Sequence, residues 1–198
     1  RNGRRTALTA LAVALGLVVV IAMSSLIEGM LTTMVADGIR ITSGHLQIRN
    51  ANYDVDKASL LSKDLLQDSE AWQAQAEALP EVKSAAAVLW SGGLLSTAQE
   101  SVGIQIVGID TEDAYHTPVR EGIVAGEFLQ NDDRGQILIG KMLADQMGIT
   151  VGQRVSLAAS NANGEGQEDV FTVTGLVDTG FPGIDQSRVI LPLAQAQA

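Results

Sequence analysis

The chain has 198 residues, enough for one domain of ordinary size and one further segment. Its net charge is −10 and it contains no cysteine, which excludes a disulfide framework, a thiolate metal site and a cysteine nucleophile. An acidic chain repels phosphate backbones and only 4% of the residues are aromatic, so nucleic-acid binding and a stacking platform for bases or sugars are disfavoured.

Charge is distributed unevenly along the chain. Three arginines within the first five residues are the only charges before Glu28. The remaining residues hold ten of the 13 Lys and Arg and all 23 Asp and Glu, a net charge of −13. Because the chain starts at Arg1 rather than Met and ends in a run, residues 193–198, typical of the beginning of a helix, we expect a fragment of a longer protein.

Residues 6–27 form a run of 22 uncharged residues rich in Ala, Leu and Val. At about 1.5 Å per residue, a helix of this length reaches roughly 33 Å, enough to cross a hydrocarbon core of about 30 Å. We therefore predict a transmembrane helix over residues 6–27. The positive-inside rule places the basic flank, residues 1–5, in the cytoplasm, so the following domain is expected on the periplasmic side of the inner membrane.

Two other interpretations of this run are less favoured. A signal peptide has an apolar core of about 7–15 residues and small residues at a cleavage site. The core here is longer and runs through residues 23–26 (MSSL) without such an ending. A buried core helix of a soluble protein is rarely apolar on all sides.

The helical pattern continues beyond the uncharged run. Apolar residues recur at helical spacing, and polar residues occupy the opposite side, which predicts an amphipathic periplasmic stalk helix over residues 28–42. The candidate functional site is the apolar stripe of this helix: Leu26, Met30, Leu31, Met34 and Val35. The stripe either packs on the following domain or a partner helix, or lines a path for a lipid-like substrate with flexible methionines.

Residues 43–198 alternate between β-rich and helical segments. The predicted elements are a strand at 45–49, a helix from Asp68 or Ser69 to Leu79, a hairpin of 82–95 and 102–109, a strand at 136–139, a helix at 141–147, β-runs at 153–159 and 170–177, and a strand at 187–191. Neighbouring strands joined by short turns predict an α+β domain with a mixed sheet rather than a doubly wound fold. Residues of about 150–180 are almost wholly β-rich, and we predict a small, mostly-β subdomain there.

Two motifs resemble catalytic or nucleotide-binding sites but lack required residues. Residues 135–142 (GQILIGKM) nearly match a P-loop, yet Met142 supplies no hydroxyl for magnesium and residues 137–139 are typical of a strand. Residues 176–180 (LVDTG) resemble half of an aspartic-protease site, but the chain offers no second such carboxylate motif. We interpret both as structural.

No group of metal-ligating residues is evident. His45 and His116 are the only histidines, and neither has a histidine or carboxylate partner at metal-ligand spacing. The acidic clusters at 54–56, 132–133 and 165–169 are typical of solvated loops. The sequence therefore predicts no catalytic residue, no metal site and no cofactor, and hence no enzymatic activity of this segment.

The chain carries, in a fixed order, the segments 41–48 (ITSGHLQI), 79–82 (LPEV), 107–110 (VGID), 122–129 (GIVAGEFL), 139–144 (IGKMLA), 151–155 (VGQRV), 171–175 (FTVTG) and 189–193 (VILPL). Together with the basic start and the apolar run, these segments resemble the MacB/FtsX-like permease family of ABC transporters. Within that family the chain is most similar to the lipoprotein-releasing (LolC/LolE-type) permease subunits. The resemblance covers essentially the full length, and it implies that residues 43–198 are a MacB-like periplasmic core domain.

The resemblance implies a permease subunit with four spans that pairs with a second permease subunit, as a homodimer or heterodimer. It implies a separate cytoplasmic ABC ATPase, with a periplasmic carrier protein as a candidate further partner. ATPase-driven motion would pass through the long helices to the periplasmic domains and expel a lipoprotein or another periplasm-side substrate. A single-span sensor with a periplasmic ligand-binding domain is the alternative, and a membrane-anchored hydrolase is disfavoured because no acid/base or metal cluster is present.

Overall fold

A computed structural model describes residues 2–39, 41, 44–53, 64–161 and 163–197, without the side chains of residues 34–37. The chain divides into two compact units, Arg1–His45 and Leu46–Ala198.

The first unit is a single long helix, α1 (Gly3–Gly38), of 36 residues. Its Ala- and Leu-rich sequence favours a helix, and the hydroxyls of Thr9, Thr32 and Thr33 donate to carbonyls four residues earlier, at 2.6–3.0 Å. The stretch Gly3–Thr33 is long and apolar enough to cross a membrane by length and composition. The helix continues without a break from the predicted span into the predicted stalk, whose positions 40 and 42 lie outside the described residues.

The described part of the second unit contains seven strands and several short helices. Its elements are α2 (Ser69–Glu77), β1 (Val88–Ser96), β2 (Ser101–Ile109), a 3-10 turn (Ala114–His116), α3 (Thr117–Glu121), β3 (Ile123–Gly126), β4 (Gln136–Gly140), α4 (Lys141–Met147), β5 (Arg154–Ser160), β6 (Gly166–Val177), α5 (Pro182–Asp185), β7 (Arg188–Pro192) and α6 (Leu193–Ala196).

The strands form one mixed sheet in the order β3-β6-β4-β7-β2-β1-β5, and β5 also pairs with β6. Six strands therefore close into a ring, and β3 adds to β6 outside it. The β2–β7 and β4–β6 pairs are parallel and the other pairs are antiparallel. The architecture confirms the predicted α+β class with a mixed sheet. Residues 150–180 supply the hairpin β5–β6, and both strands take part in this sheet.

One apolar core lies inside the ring. It contains Leu95, Ile104, Ile106, Ile137, Ile139, Leu143, Ala144, Met147, Ile149, Val155, Leu157, Phe171, Val173, Leu176, Val189 and Leu191. Helix α4 contributes Leu143, Ala144 and Met147 to it, which explains why this short helix follows β4 directly. Burying one such Leu or Ile side chain contributes about 2 kcal/mol to the free energy of unfolding.

A second buried layer lies on the outer side of the same strands. Because side chains alternate along a strand, Leu138 and Ile190 point away from the core to which Ile139 and Val189 belong. Leu138 and Ile190 are nevertheless buried. Val119 of α3, Leu129 and Ile184 of α5 are also buried outside the inner core, so short helices and connections cover this outer side.

Two details of the predicted elements are wrong. The predicted strand at 45–49 is irregular backbone, and Leu46 is 89% exposed, because alternation alone does not create a strand where no neighbour pairs with it. The helix α2 ends at Glu77 rather than at the predicted Leu79, none of its residues is buried, and Trp72 is exposed.

Candidate functional site

The predicted apolar stripe lies on α1. The side chains of Leu26, Met30 and Leu31 are 66%, 62% and 58% exposed. Met34 and Val35 lie on the same helix, and their side chains are outside the described set. None of the most apolar window of α1 is buried within the protein, and by length and composition this window could cross a membrane. The stripe's role in substrate passage or partner packing stays a prediction.

The P-loop-like segment is a strand followed by a helix. Residues 137–139 are fully buried in β4, and Gly140 precedes α4. A Cβ atom at Gly140 would lie 2.4 Å from the carbonyl oxygen of Asp185, so glycine is needed here for the close approach of α5. Lys141 pairs with Asp145 one turn later on α4. The glycine and lysine of the motif therefore have packing and surface roles.

The Asp-Thr-Gly segment closes the loop between β6 and α5. The Asp185 Oδ1 atom accepts hydrogen bonds from the Thr179 backbone N–H (3.0 Å) and the Thr179 hydroxyl (2.9 Å). Asp178 Oδ1 accepts from the Gly180 N–H at 3.0 Å. Burial raises the pKa of the Asp185 carboxyl, and the nearby Asp178 carboxylate acts in the same direction. The buried carboxylate thus fixes α5 against the end of β6.

A polar network holds the connection that follows β2. Asn131 Oδ1 accepts from the Thr111 N–H and hydroxyl at 2.8 and 2.9 Å, and its Nδ2 donates to Asp110 at 2.7 Å. The hydrogen bond from Asn131 holds the pKa of Asp110 below its usual range. Arg120 donates to the Thr111 carbonyl and lies 5.0 Å from the ring centroid of Phe128. The satisfied polar groups indicate a structural role for this network.

The two histidines have different surroundings. His45 is exposed in irregular backbone, whereas His116 is only 4% exposed. The His116 ring packs edge-on against Tyr115 with centroids 5.2 Å apart, and its Nε2 atom has no hydrogen-bond partner among the described residues. Burial lowers the pKa of His116 to about 4, with Asp110 opposing and Arg120 reinforcing the shift. Among the described residues no group of three potential metal ligands occurs.

A buried arginine was missed by the sequence reasoning. Arg188, the first residue of β7, is 8% exposed and lies 4.6 Å from the ring centroid of Trp90 on β1. Its Nε donates to the Gln105 side chain at 3.0 Å, and burial lowers its pKa to about 10. The signal present in the sequence was an arginine at the start of a strand in which all of the remaining residues are apolar. Residues this far apart in sequence meet only in the folded sheet.

Comparisons with known proteins identify the family of the chain. Residues 6–198 match the model of the MacB-like periplasmic core domain. No curated protein matches the chain. Among solved structures, the extracellular domain of the noncanonic ABC-type transporter YknZ from Gram-positive bacteria is similar at 19% identity and a TM-score of 0.46, with 63% of this chain and 62% of that chain covered.

The chain thus spans 62% of the solved domain that it matches. The finer prediction of closeness to lipoprotein-releasing subunits stays a prediction. The family model covers the apolar helix and all of the β-rich unit, which confirms the family predicted from the short segments. The chain belongs to the family of the MacB-like periplasmic core domain.

Proposed function

We propose that the chain is part of the permease subunit of an ABC transporter, with α1 as its first transmembrane helix and Leu46–Ala198 on the extracytoplasmic side. One observation carries the proposal: an apolar helix without buried residues in its central window precedes a domain of the MacB-like periplasmic core family. The three N-terminal arginines favour a cytoplasmic start for this helix.

The length of α1 suits a mechanical role. Its 36 residues correspond to about 54 Å, whereas a hydrocarbon core is about 30 Å thick. The hydroxyls of Thr32 and Thr33 bond within the helix, so the polar residues beyond the apolar run leave it continuous. A continuous helix passes a displacement at one end to the other, which is what a permease needs to relay force from a cytoplasmic motor.

The chemistry of the second unit fits the same role. Its buried polar groups hold loops and short helices in place, as Asp185 and Asn131 do. We assign ATP hydrolysis to a separate cytoplasmic ABC ATPase. We assign the ATPase-driven motion to a pair of permease subunits. The output is export or release of a lipoprotein or another periplasm-side substrate, with a periplasmic carrier protein as its acceptor.

Co-purification of the full-length protein from its native membrane tests this proposal. We expect an ABC ATPase subunit and a second permease subunit in the purified complex, and ATP hydrolysis by that complex. Recovery of a signalling kinase instead, or a single further span after Ala198 followed by kinase motifs, would contradict the permease and favour the sensor. The permease requires three further apolar spans in the full-length sequence.

A further inference from the structure

We propose that Arg188, Trp90 and Gln105 form a binding site for a carboxylate on an acidic, extended segment of a protein partner. The proposal is independent of the transport role, because it concerns only the surface of the Leu46–Ala198 unit. Arg188 is a buried cation that lacks a carboxylate partner among the described residues. Buried charges are costly unless paired, so an unpaired one calls for an explanation.

Arg188 has little polar contact for its burial. Its one hydrogen bond within the described part of the chain joins Nε to Gln105. The only ion pair among the described residues joins Lys141 and Asp145, so Arg188 has no such partner there. The Nη atoms of Arg188 have no hydrogen-bond partner among the described residues, yet they are not among the buried atoms without a partner. They therefore reach the surface. The two Nη atoms, with four N–H donors between them, are left for a ligand.

The guanidinium is held in position before any ligand arrives. The ring of Trp90 lies 4.6 Å from its central carbon, and Gln105 fixes its Nε edge. Such a fixed fork of N–H donors matches the two oxygens of a carboxylate. The Asp185 carboxylate also influences Arg188, but its Oδ1 already accepts two hydrogen bonds from Thr179. Tyr115 is the other titratable group that acts on Arg188.

The surface beside Arg188 is open and apolar. Strand alternation puts Trp90, Gly92 and Leu94 on one side of β1, opposite Val107, Gln105 and Gly103 of β2. A Cβ atom added at Gly92 or Gly103 would meet nothing within 4 Å, and Leu94 is exposed. The two glycines therefore leave space above the strands for part of a bound peptide.

One edge of β1 is also available for strand pairing. Strand β2 pairs with all of β1, whereas β5 pairs only with Gly93–Ser96. In the described part of the chain, no strand pairs with the other edge of residues 88–92. An extended peptide can add to such an edge through its backbone and place alternate side chains beside Trp90 and Arg188. This edge favours a peptide over a free phosphate or a lipid headgroup.

The test uses Trp90 as its own reporter. The chain has two tryptophans, so Trp72→Phe in the full chain, kept in detergent, leaves Trp90 alone. The probes are the capped hexapeptides acetyl-VTEVTV-amide and acetyl-VTQVTV-amide, titrated while Trp90 fluorescence is recorded. We expect the glutamate peptide to bind at least about tenfold more tightly than the glutamine peptide, because a carboxylate–guanidinium fork is stronger than a neutral hydrogen bond.

Matched variants separate the site from general charge. Arg188→Gln should remove the difference between the peptides, and Arg188→Lys should reduce it, since lysine keeps the charge without the fork. Arg154→Gln, an exposed arginine at the start of β5, should bind as the parent does. Gln105→Ala should weaken glutamate-peptide binding several-fold, and it provides a second reading if Arg188→Gln fails to fold.

Several outcomes would overturn the proposal. Equal affinity for the two peptides, no fluorescence change with either at millimolar concentration, or equal losses in Arg188→Gln and Arg154→Gln would each exclude a carboxylate site at Arg188. Displacement of the glutamate peptide by equimolar sodium phosphate would indicate a general anion site instead. Displacement by phosphatidylglycerol vesicles, but not by phosphatidylcholine vesicles, would indicate a membrane surface as the occupant.

Discussion

Gly140 is a residue whose role depends on one backbone contact. Any side chain there meets the backbone of Asp185, whose carbonyl oxygen would lie 2.4 Å from the new Cβ. We expect Gly140→Ala to lower the free energy of unfolding by about 2 kcal/mol, because a packed backbone cannot yield without strain. Urea denaturation of the full chain in detergent measures the change. Gly166→Ala, where the added Cβ meets nothing within 4 Å, is the matched control and should change stability little.

His116 makes stability depend on pH in a defined direction. Its folded pKa is about 4, below the ordinary value of 6.5, so the unfolded chain binds the proton more readily between these values. Stability is therefore full above about pH 6.5 and falls as the pH decreases toward 4, by at most about 3 kcal/mol. Asp185 acts in the opposite direction, because its raised pKa makes ionisation cost stability as the pH rises.

Replacing His116 tests this dependence. His116→Phe keeps a ring against Tyr115 and removes the titrating group, so the loss of melting temperature between pH 6.5 and pH 4 should become smaller. His45→Phe replaces an exposed histidine and should leave the pH profile unchanged. A His116→Phe profile that matches the parent's would assign the acid sensitivity to other groups, Asp110 among them.

At the scale of elements, local signals predicted the helices and strands whose ends are marked by turn or capping residues. Helix α4 begins and ends where the sequence indicated, because Gly148 adopts the left-handed conformation that terminates it. The β1–β2 hairpin and the β5–β6 hairpin were also predicted from their alternation and turns. Strand β3 was missed, since three of its four residues pair with β6 across a register shift that no local pattern encodes.

The apolar stripe of α1 gives a prediction at this scale. We expect Met30→Asp to reduce ATP hydrolysis by the proposed full-length transporter, once reconstituted, several-fold without loss of expression, because it places a charge on the apolar stripe. Thr32→Asp, a polar position on the same helix, is the matched control and should retain activity. Equal activity of the two variants would show that the stripe has no role in coupling.

At the scale of the whole molecule, the sequence indicated the α+β class of the fold but not that six of the strands close into a ring. The ring requires β1 to pair with β5 and β2 to pair with β7, and these pairings join distant segments of chain. Arg188 was not predicted for the same reason, because its hydrogen bond to Gln105 spans 83 residues of sequence. The candidate stripe on α1 was visible because it follows a local helical period, whereas the Arg188 cluster exists only after β1, β2 and β7 assemble.

The central claim is that α1 crosses a membrane and leaves the Leu46–Ala198 unit on the extracytoplasmic side. The chain contains no cysteine, so single cysteines introduced at Asn2 or Gln99, both exposed, give a clean background for labelling. In intact cells, a membrane-impermeant maleimide should label Gln99→Cys at once and Asn2→Cys only after the membrane is permeabilised. Labelling of Asn2→Cys but not Gln99→Cys in intact cells, or recovery of the full-length protein from the cytosol without detergent, would contradict the account.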